Sequence, residues 1–442
     1  MSVPGVSQRR RSEIIDALRR GTVPRTGLDQ LAVGLHRFEA AVEEELGKVA
    51  AGGAAFKAIR GEYGAGKTFV ARWLVERAKR RGMAAAEVQI SETETPLHRL
   101  ETVYRRLAEN LATAEYQPSA FRSVLDAWLF TLEEDALGAD PDRAHDPQLL
   151  HGRVEELLER RLASVSQAAP SFAMALRGYR RAVVAGDTAA PDGLAAWLGG
   201  QPNVAAAVRR TAGIRGDLDH FGALGFLQGL LAVLRDSGHP GMVLVLDEAE
   251  TLQRMRSDTR DKALNALRQL VDELDAGRYP GLYLVITGTP AFFDGQQGVQ
   301  RLPPLAQRLA TDLATDPRFD NPRAVQLRLP GFSLPALVEL GRKVRDLYVS
   351  GCREPQRVAA VVDDGYVEQL ARALADRMGG RVGVTPRLFL KKLVGDVLDR
   401  VEQYPEFNPR QHYRLTLAAA ELTDVERNAA AASPDDIALD LP

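Results

Sequence analysis

The sequence predicts an α/β protein: a five-stranded parallel sheet covered by helices on both faces, with a large helical insertion and a C-terminal helical lid. Three observations predict it. Five short apolar runs are separated by helical stretches, the pattern of a parallel sheet buried on both sides. The first run leads directly into a glycine-rich loop with a helix behind it. The interval between the second and third runs, residues 96–236, reads as mostly helix, more than a compact sheet requires.

In chain order, residues 9–20 read as a short basic helix and residues 21–27 (GTVPRTG) as a turn-rich joint. Residues 28–50 are expected to be helical, with Leu31, Leu35, Phe38, Val42 and Leu46 on one face. The apolar runs are residues 55–59, 86–90, 242–246, 282–286 and 325–329. Breaks rich in Pro, Gly and Asp at 138–146, 185–193 and 199–203 divide the insertion. Residues 330–335 (PGFSLP) read as a hinge, and 334–403 as about three amphipathic helices. The chain then divides into an N-terminal helical segment (1–50), a sheet core with its insertion (51–333), a lid (334–403) and a tail (404–442). The tail has few large apolar residues and an acidic end (Asp435, Asp436, Asp440), so weak docking or disorder is expected.

Composition narrows the function classes. Apolar residues at 45% and charged residues at 26% are ordinary for a globular protein. The net charge of -2 means that any nucleic-acid contact must come from a local basic patch. The short basic clusters are Arg9 to Arg11, Arg105 with Arg106, Arg177 with Arg180 and Arg181, and Arg209 with Arg210. Most lie on helices with acidic neighbours and read singly as solvated faces; together they leave binding to double-stranded DNA open. The single cysteine, Cys352, allows no intramolecular disulfide and fits a reducing cytoplasm. The seven histidines form no finger-like spacing with it. No window approaches the roughly 20 apolar residues of a membrane span, and the basic N-terminus lacks the apolar segment of a secretory signal.

Chemistry concentrates at the strand ends. Gly61, Glu62, Tyr63, Gly64, Ala65, Gly66, Lys67 and Thr68 match G-x-x-x-x-G-K-[ST] in full, and Phe69 follows in the helix. Glycines at 61, 64 and 66 are expected to allow positive φ and close approach of backbone N–H groups to phosphates. The helix starting near Lys67 directs its positive dipole end at the same place. Lys67 is the residue to reach the β- and γ-phosphates of ATP, and Thr68 the one to hold Mg²⁺. The run at 242–246 ends in Asp247 and Glu248, at the carboxyl edge where open α/β sheets bind ligands. Asp247 would hold Mg²⁺ through water, and Glu248 would polarise the attacking water. A hydroxyl after the fourth run could contact the γ-phosphate, as sensor 1 does in AAA+ ATPases; Thr289 and Thr287 compete for that role. Pro386 and Arg387 open the last lid helix, where Arg387 could reach back as a sensor 2 arginine. Arg308 lies where AAA+ proteins often carry an arginine finger, with Arg318 and Arg323 as alternatives.

Several stretches together carry a family resemblance. They are ALRRGTVP from Ala17, the loop IRGEYGAGKTF from Ile59, PLHRLETVYR from Pro96, LDEAETL from Leu246, TGTPAFFDG from Thr287, RLPPLAQRL from Arg301 and VTPRLFL from Val384. The chain resembles the BrxD family, the ATP-binding proteins of BREX phage-defence systems, over roughly residues 10–405. The resemblance implies an AAA+ P-loop NTPase core of the initiator and origin-recognition branch, with Mg²⁺ and ATP as cofactors. It implies a helicase or other defence-system protein as partner, with homo-oligomers a further expectation. That branch usually ends in a winged-helix DNA-binding domain; residues 404–442 are too few for one. The expected role is an ATP-driven motor or switch in antiviral defence. The rivals are a nucleotide-gated assembly protein with little turnover and a DNA-binding initiator-like ATPase outside defence.

Overall fold

The computed structural model describes residues 6–138, 147–377, 385–418 and 421. The acidic end of the tail, the 139–146 part of the first insertion break, and Gly383 with Val384 lie outside the described residues. The sheet has five parallel strands: β1 (Ala55–Arg60), β2 (Ala84–Gln89), β3 (Met242–Asp247), β4 (Leu282–Gly288) and β5 (Gln326–Arg328). Their order is β2-β3-β4-β1-β5, which places β4 between the strands carrying the glycine loop and the acidic pair. The glycine-rich loop follows β1 at the carboxyl end of this parallel sheet.

Period-2 alternation assigns the two faces. Val243, Val245, Tyr283 and Val285 share one core with Phe38, Val42 and Leu46 and with Val70, Trp73 and Leu74. These come from α2 (His36–Ala50) and α3 (Lys67–Arg80). Met242, Leu244, Leu246, Leu284 and Ile286 point the other way, into a larger core. Among the described residues, seven helices run between β2 and β3: α4 (Leu100–Asn110), α5 (Phe121–Gly138), α6 (Pro147–Ala168), α7 (Pro170–Val184), α8 (Ala190–Leu198), α9 (Ala206–Thr211) and α10 (His220–Asp236). Their apolar residues, with those of α11 (Ser257–Asp275), are continuous with that sheet face. Phe226 of α10 sits at its centre, edge-on to Tyr104, Phe172 and Trp197 at 5.1–5.7 Å between ring centroids.

Helices α12 (Pro290–Asp294) and α13 (Pro303–Arg308) connect β4 to β5. Among the described residues, the segment expected as a lid of about three helices contains α14 (Leu334–Val349), α15 (Pro355–Val361), α16 (Asp364–Arg377) and α17 (Pro386–Lys391). Helix α17 continues through π-helical turns over Lys392–Leu398 to Gln403.

The N-terminal region departs from the single helix expected over 28–50. Leu28–Gln30 form a short 3-10 turn, and α2 begins only at His36. Gly27 and Gly34 interrupt the path with φ of +74° and +70°. The five apolar residues are all buried, but they serve two cores: Leu31 packs in the lid, and the other four under the sheet. The first helix, α1 (Gln8–Arg19), also joins the lid core through Ile14, Ile15 and Leu18. Arg19 fixes it there with a bidentate pair to Asp399, at 2.6 and 2.8 Å.

Candidate active site

Three strand ends and the lid converge on one cavity of about 840 Å³. The loop after β1 turns through Gly64 and Gly66, at φ of +78° and +93°. At Gly64 the need for glycine is also spatial: an added Cβ would meet Thr385 Cγ2 of the lid at 2.2 Å. Gly61, expected at positive φ, is not among the positive-φ glycines. Its constraint is space, since a Cβ there would lie 3.0 Å from Ala65 Cβ and 3.2 Å from Leu329 Cβ.

Lys67 opens α3 and is buried. Its ammonium donates to the Gly61 carbonyl at 3.0 Å and lies 5.0 Å from the Tyr63 ring centroid. Thr68 donates to Asp247 Oδ2 at 3.0 Å, so the loop and the end of β3 are joined directly. The other Asp247 oxygen accepts from the Thr287 hydroxyl. Thr287 Oγ1 in turn accepts the Glu248 backbone N–H at 3.0 Å. This chain of contacts spans β1, β3 and β4.

Glu248 sits in the left-handed region, at φ +61° and ψ +44°. A non-glycine residue there is uncommon, and such residues cluster at active sites; Ser119 and Asn203 are the other two among the described residues. Its carboxylate accepts from Gln89 Nε2 at 2.9 Å, from the end of neighbouring β2.

A family model described as "BREX system ATP-binding protein BrxC/D" matches residues 6–417. The chain belongs to the BrxC/D family. A structural similarity is found to the Aeropyrum pernix ORC2 protein, solved as ADPNP-ADP complexes, at 14% identity and a TM-score of 0.34. That match covers 82% of this chain and 66% of the other, just under two thirds of the latter's length. No curated protein sequence matches the chain.

The cavity of this BrxC/D chain fits Mg·ATP on its donor chemistry. Thr68 and Asp247 present hard oxygens side by side, the type of donor set Mg²⁺ takes with few protein ligands. The loop amides and the start of α3 are the kind of groups that bind anions. Gly61, Glu62, Ala65 and Phe69 lie in or beside this loop, with Tyr63, Ala65 and Phe69 lining the cavity. Arg387 lines it from the lid, and one of its guanidinium nitrogens donates to the Glu421 carbonyl at 3.0 Å.

Two expected residues are placed elsewhere. Thr289 is buried, and its hydroxyl caps α12 by accepting the Phe292 N–H at 3.4 Å; neither Thr289 nor Thr287 lines the cavity itself. The chain has already turned out of β4 at Gly288, so of the two threonines Thr287 is the one brought to Asp247. Arg308 is half exposed, paired with Asp272 at 2.9 Å, and does not line the cavity of its own chain. Arg318 and Arg323 pair with Asp316 and Glu44 on the surface.

Sequence reading missed other lining residues. Thr22, Val23 and Pro24 of the N-terminal joint, with Phe332 of the hinge, form an apolar side of the cavity. Their turn-forming residue types announced a loop and nothing about a ligand. Glu250, which lines the cavity, and Gln89, which does not but holds Glu248, were also missed, although Glu250 lies in the same acidic run as Asp247 and Gln89 ends β2 beside it.

Proposed function

We propose that this chain hydrolyses Mg·ATP in the cavity between the glycine loop, the strand ends and the lid, and works as a motor or switch in BREX-type antiviral defence. The observation that carries this reading is the contact chain Thr68–Asp247–Thr287–Glu248, of which Thr68, Asp247 and Glu248 line one cavity with Lys67. It holds a phosphate-binding group, a metal-binding pair and a general base candidate in one place. Mg²⁺, when bound, supplies charge neutralisation to the phosphate oxygens. Lys67 binds the phosphates, Thr68 and Asp247 orient their oxygens for the metal, and Glu248 orients water for in-line attack on the γ-phosphorus. Thr287 fixes the backbone of Glu248 and fills the sensor role at β4. Arg387 couples the lid to the nucleotide.

The partner in this reading is a helicase or another defence-system protein, acting on duplex DNA in the cytoplasm. Among the described residues no helix is long and apolar enough to cross a membrane. Direct DNA binding draws little support from the basic clusters. Arg106, Arg177, Arg180 and Arg209 are each ion-paired with a carboxylate of the same chain. A second reading, a nucleotide-gated assembly protein with slow turnover, is favoured by one observation: Gln89 holds the Glu248 carboxylate.

The Glu248→Gln protein, sized with and without ATP and duplex DNA, tests the role. A motor or switch is expected to assemble on ATP and to shift further with DNA. A monomer under all four conditions would remove it.

A further inference from the structure

Glu250 has no place in the scheme above, yet it lines the same cavity and is only 5% exposed. Buried carboxylates are almost always hydrogen-bonded. Neither oxygen of Glu250 has a hydrogen-bond partner among the described residues. The cation paired with it is the Lys67 ammonium, 3.4 Å from Oε1. Lys67 directs its well-aligned hydrogen bonds to the Gly61 and Glu62 carbonyls, so the pair with Glu250 is chiefly one of charge.

A buried carboxylate without hydrogen bonds is costly to keep, and a lone ion pair does not fully offset that cost. Its position explains what it does. Lys67 is the side chain that entering phosphates need. Glu250 faces it with a charge of the same sign as the phosphates, and Glu248 adds another close by.

We propose that Glu250 is a positioning residue for Lys67: a resident counter-anion that holds the ammonium in place and yields it to the entering phosphates, so that nucleotide binds less tightly and ADP leaves faster. The inference rests on the ATPase reading of this cavity. It assigns Glu250 no contact with the reacting atoms; it acts by competing with phosphate for Lys67 and by repelling phosphate charge. Burial also pushes the Glu250 carboxyl above the ordinary carboxylate range, while the Lys67 charge draws it back, consistent with a group whose main electrostatic support is that one cation.

Calorimetric titration of ADP and of Mg·ATPγS into the wild-type, E250Q, E250A and E250D proteins, with stopped-flow ADP release, tests it. E250Q and E250A remove the charge and are expected to lower Kd about tenfold, with ADP release slowed by a similar factor. E250D keeps the charge and is expected to stay within about twofold of wild type. E250A serves where the amide is not accommodated. A merely structural role predicts the reverse, weaker binding in both neutral variants. Unchanged or weaker binding in E250Q and E250A, with a wild type that binds both nucleotides, would overturn this inference alone. A wild type that binds neither nucleotide would overturn the proposed function and the inference with it.

Discussion

Thr287 and Thr289 stand two residues apart and perform different tasks. The Thr287 hydroxyl donates to Asp247 and accepts the Glu248 N–H, whereas the Thr289 hydroxyl caps a helix. Thr287→Val leaves the Glu248 N–H without its acceptor, a loss of about 1–3 kcal/mol in a buried setting. It is expected to lower kcat at least tenfold, about 1.4 kcal/mol in the barrier. Thr289→Val removes an N-cap, about 1 kcal/mol of stability, and is expected to leave kcat within about twofold of wild type. Steady-state kinetics paired with thermal unfolding separates the two; equal kcat losses would return Thr289 to the site. Part of this difference was legible in the sequence. Thr-Pro is an N-cap followed by proline at the first helical position, a helix-start signal. What could not be read was where β4 ends, because the apolar run gives no sign that the chain turns after Gly288.

At the scale of elements, the glycine loop, β3 and β4 were readable because each carries a local pattern: a fixed glycine spacing, or an unbroken apolar run ending in polar residues. The joint at 21–24 and α1 were readable as a turn and a helix but not in their role, which depends on a partner 380 residues away, Asp399 on the continuation of α17. Helix α1 is part of the lid core, and the residues that follow it line the nucleotide cavity. Lid and joint are therefore one mechanical unit. Arg19→Ala breaks the bidentate pair to Asp399. The guanidinium is partly exposed, so the expected loss is about 1 kcal/mol of stability. The expected functional effect is larger: Kd for ATP rises several-fold, about 1 kcal/mol in binding, because Thr22 to Pro24 lose their anchor. Calorimetry with ATP checks this, and an unchanged Kd would show the joint to be independent of the lid. Helix α17 makes the same point, since Thr385 at its start occupies the space that Gly64 leaves open in the loop.

At the scale of the whole molecule, one sheet carries two unequal cores, and the nucleotide cavity lies at the strand ends beneath the lid. The size of the insertion was plain from the sequence. Its fusion with one sheet face was not, because helical periodicity reports that a face is apolar and not what it packs against. Arg308 belongs to this scale too: in its own chain it meets Asp272 and not the cavity, so any part in hydrolysis must be played on a neighbouring copy. Everything proposed for the molecule depends on whether the cavity turns ATP over through Glu248. The direct measurement is phosphate release from ATP by the wild-type and Glu248→Gln proteins, with calorimetric ATP affinity taken on the same samples. The expected result is steady release by wild type, a fall of at least about a hundredfold in Glu248→Gln, and ATP affinity that is retained. Equal release rates in the two proteins, at equal ATP affinity, would contradict the catalytic assignment of Glu248.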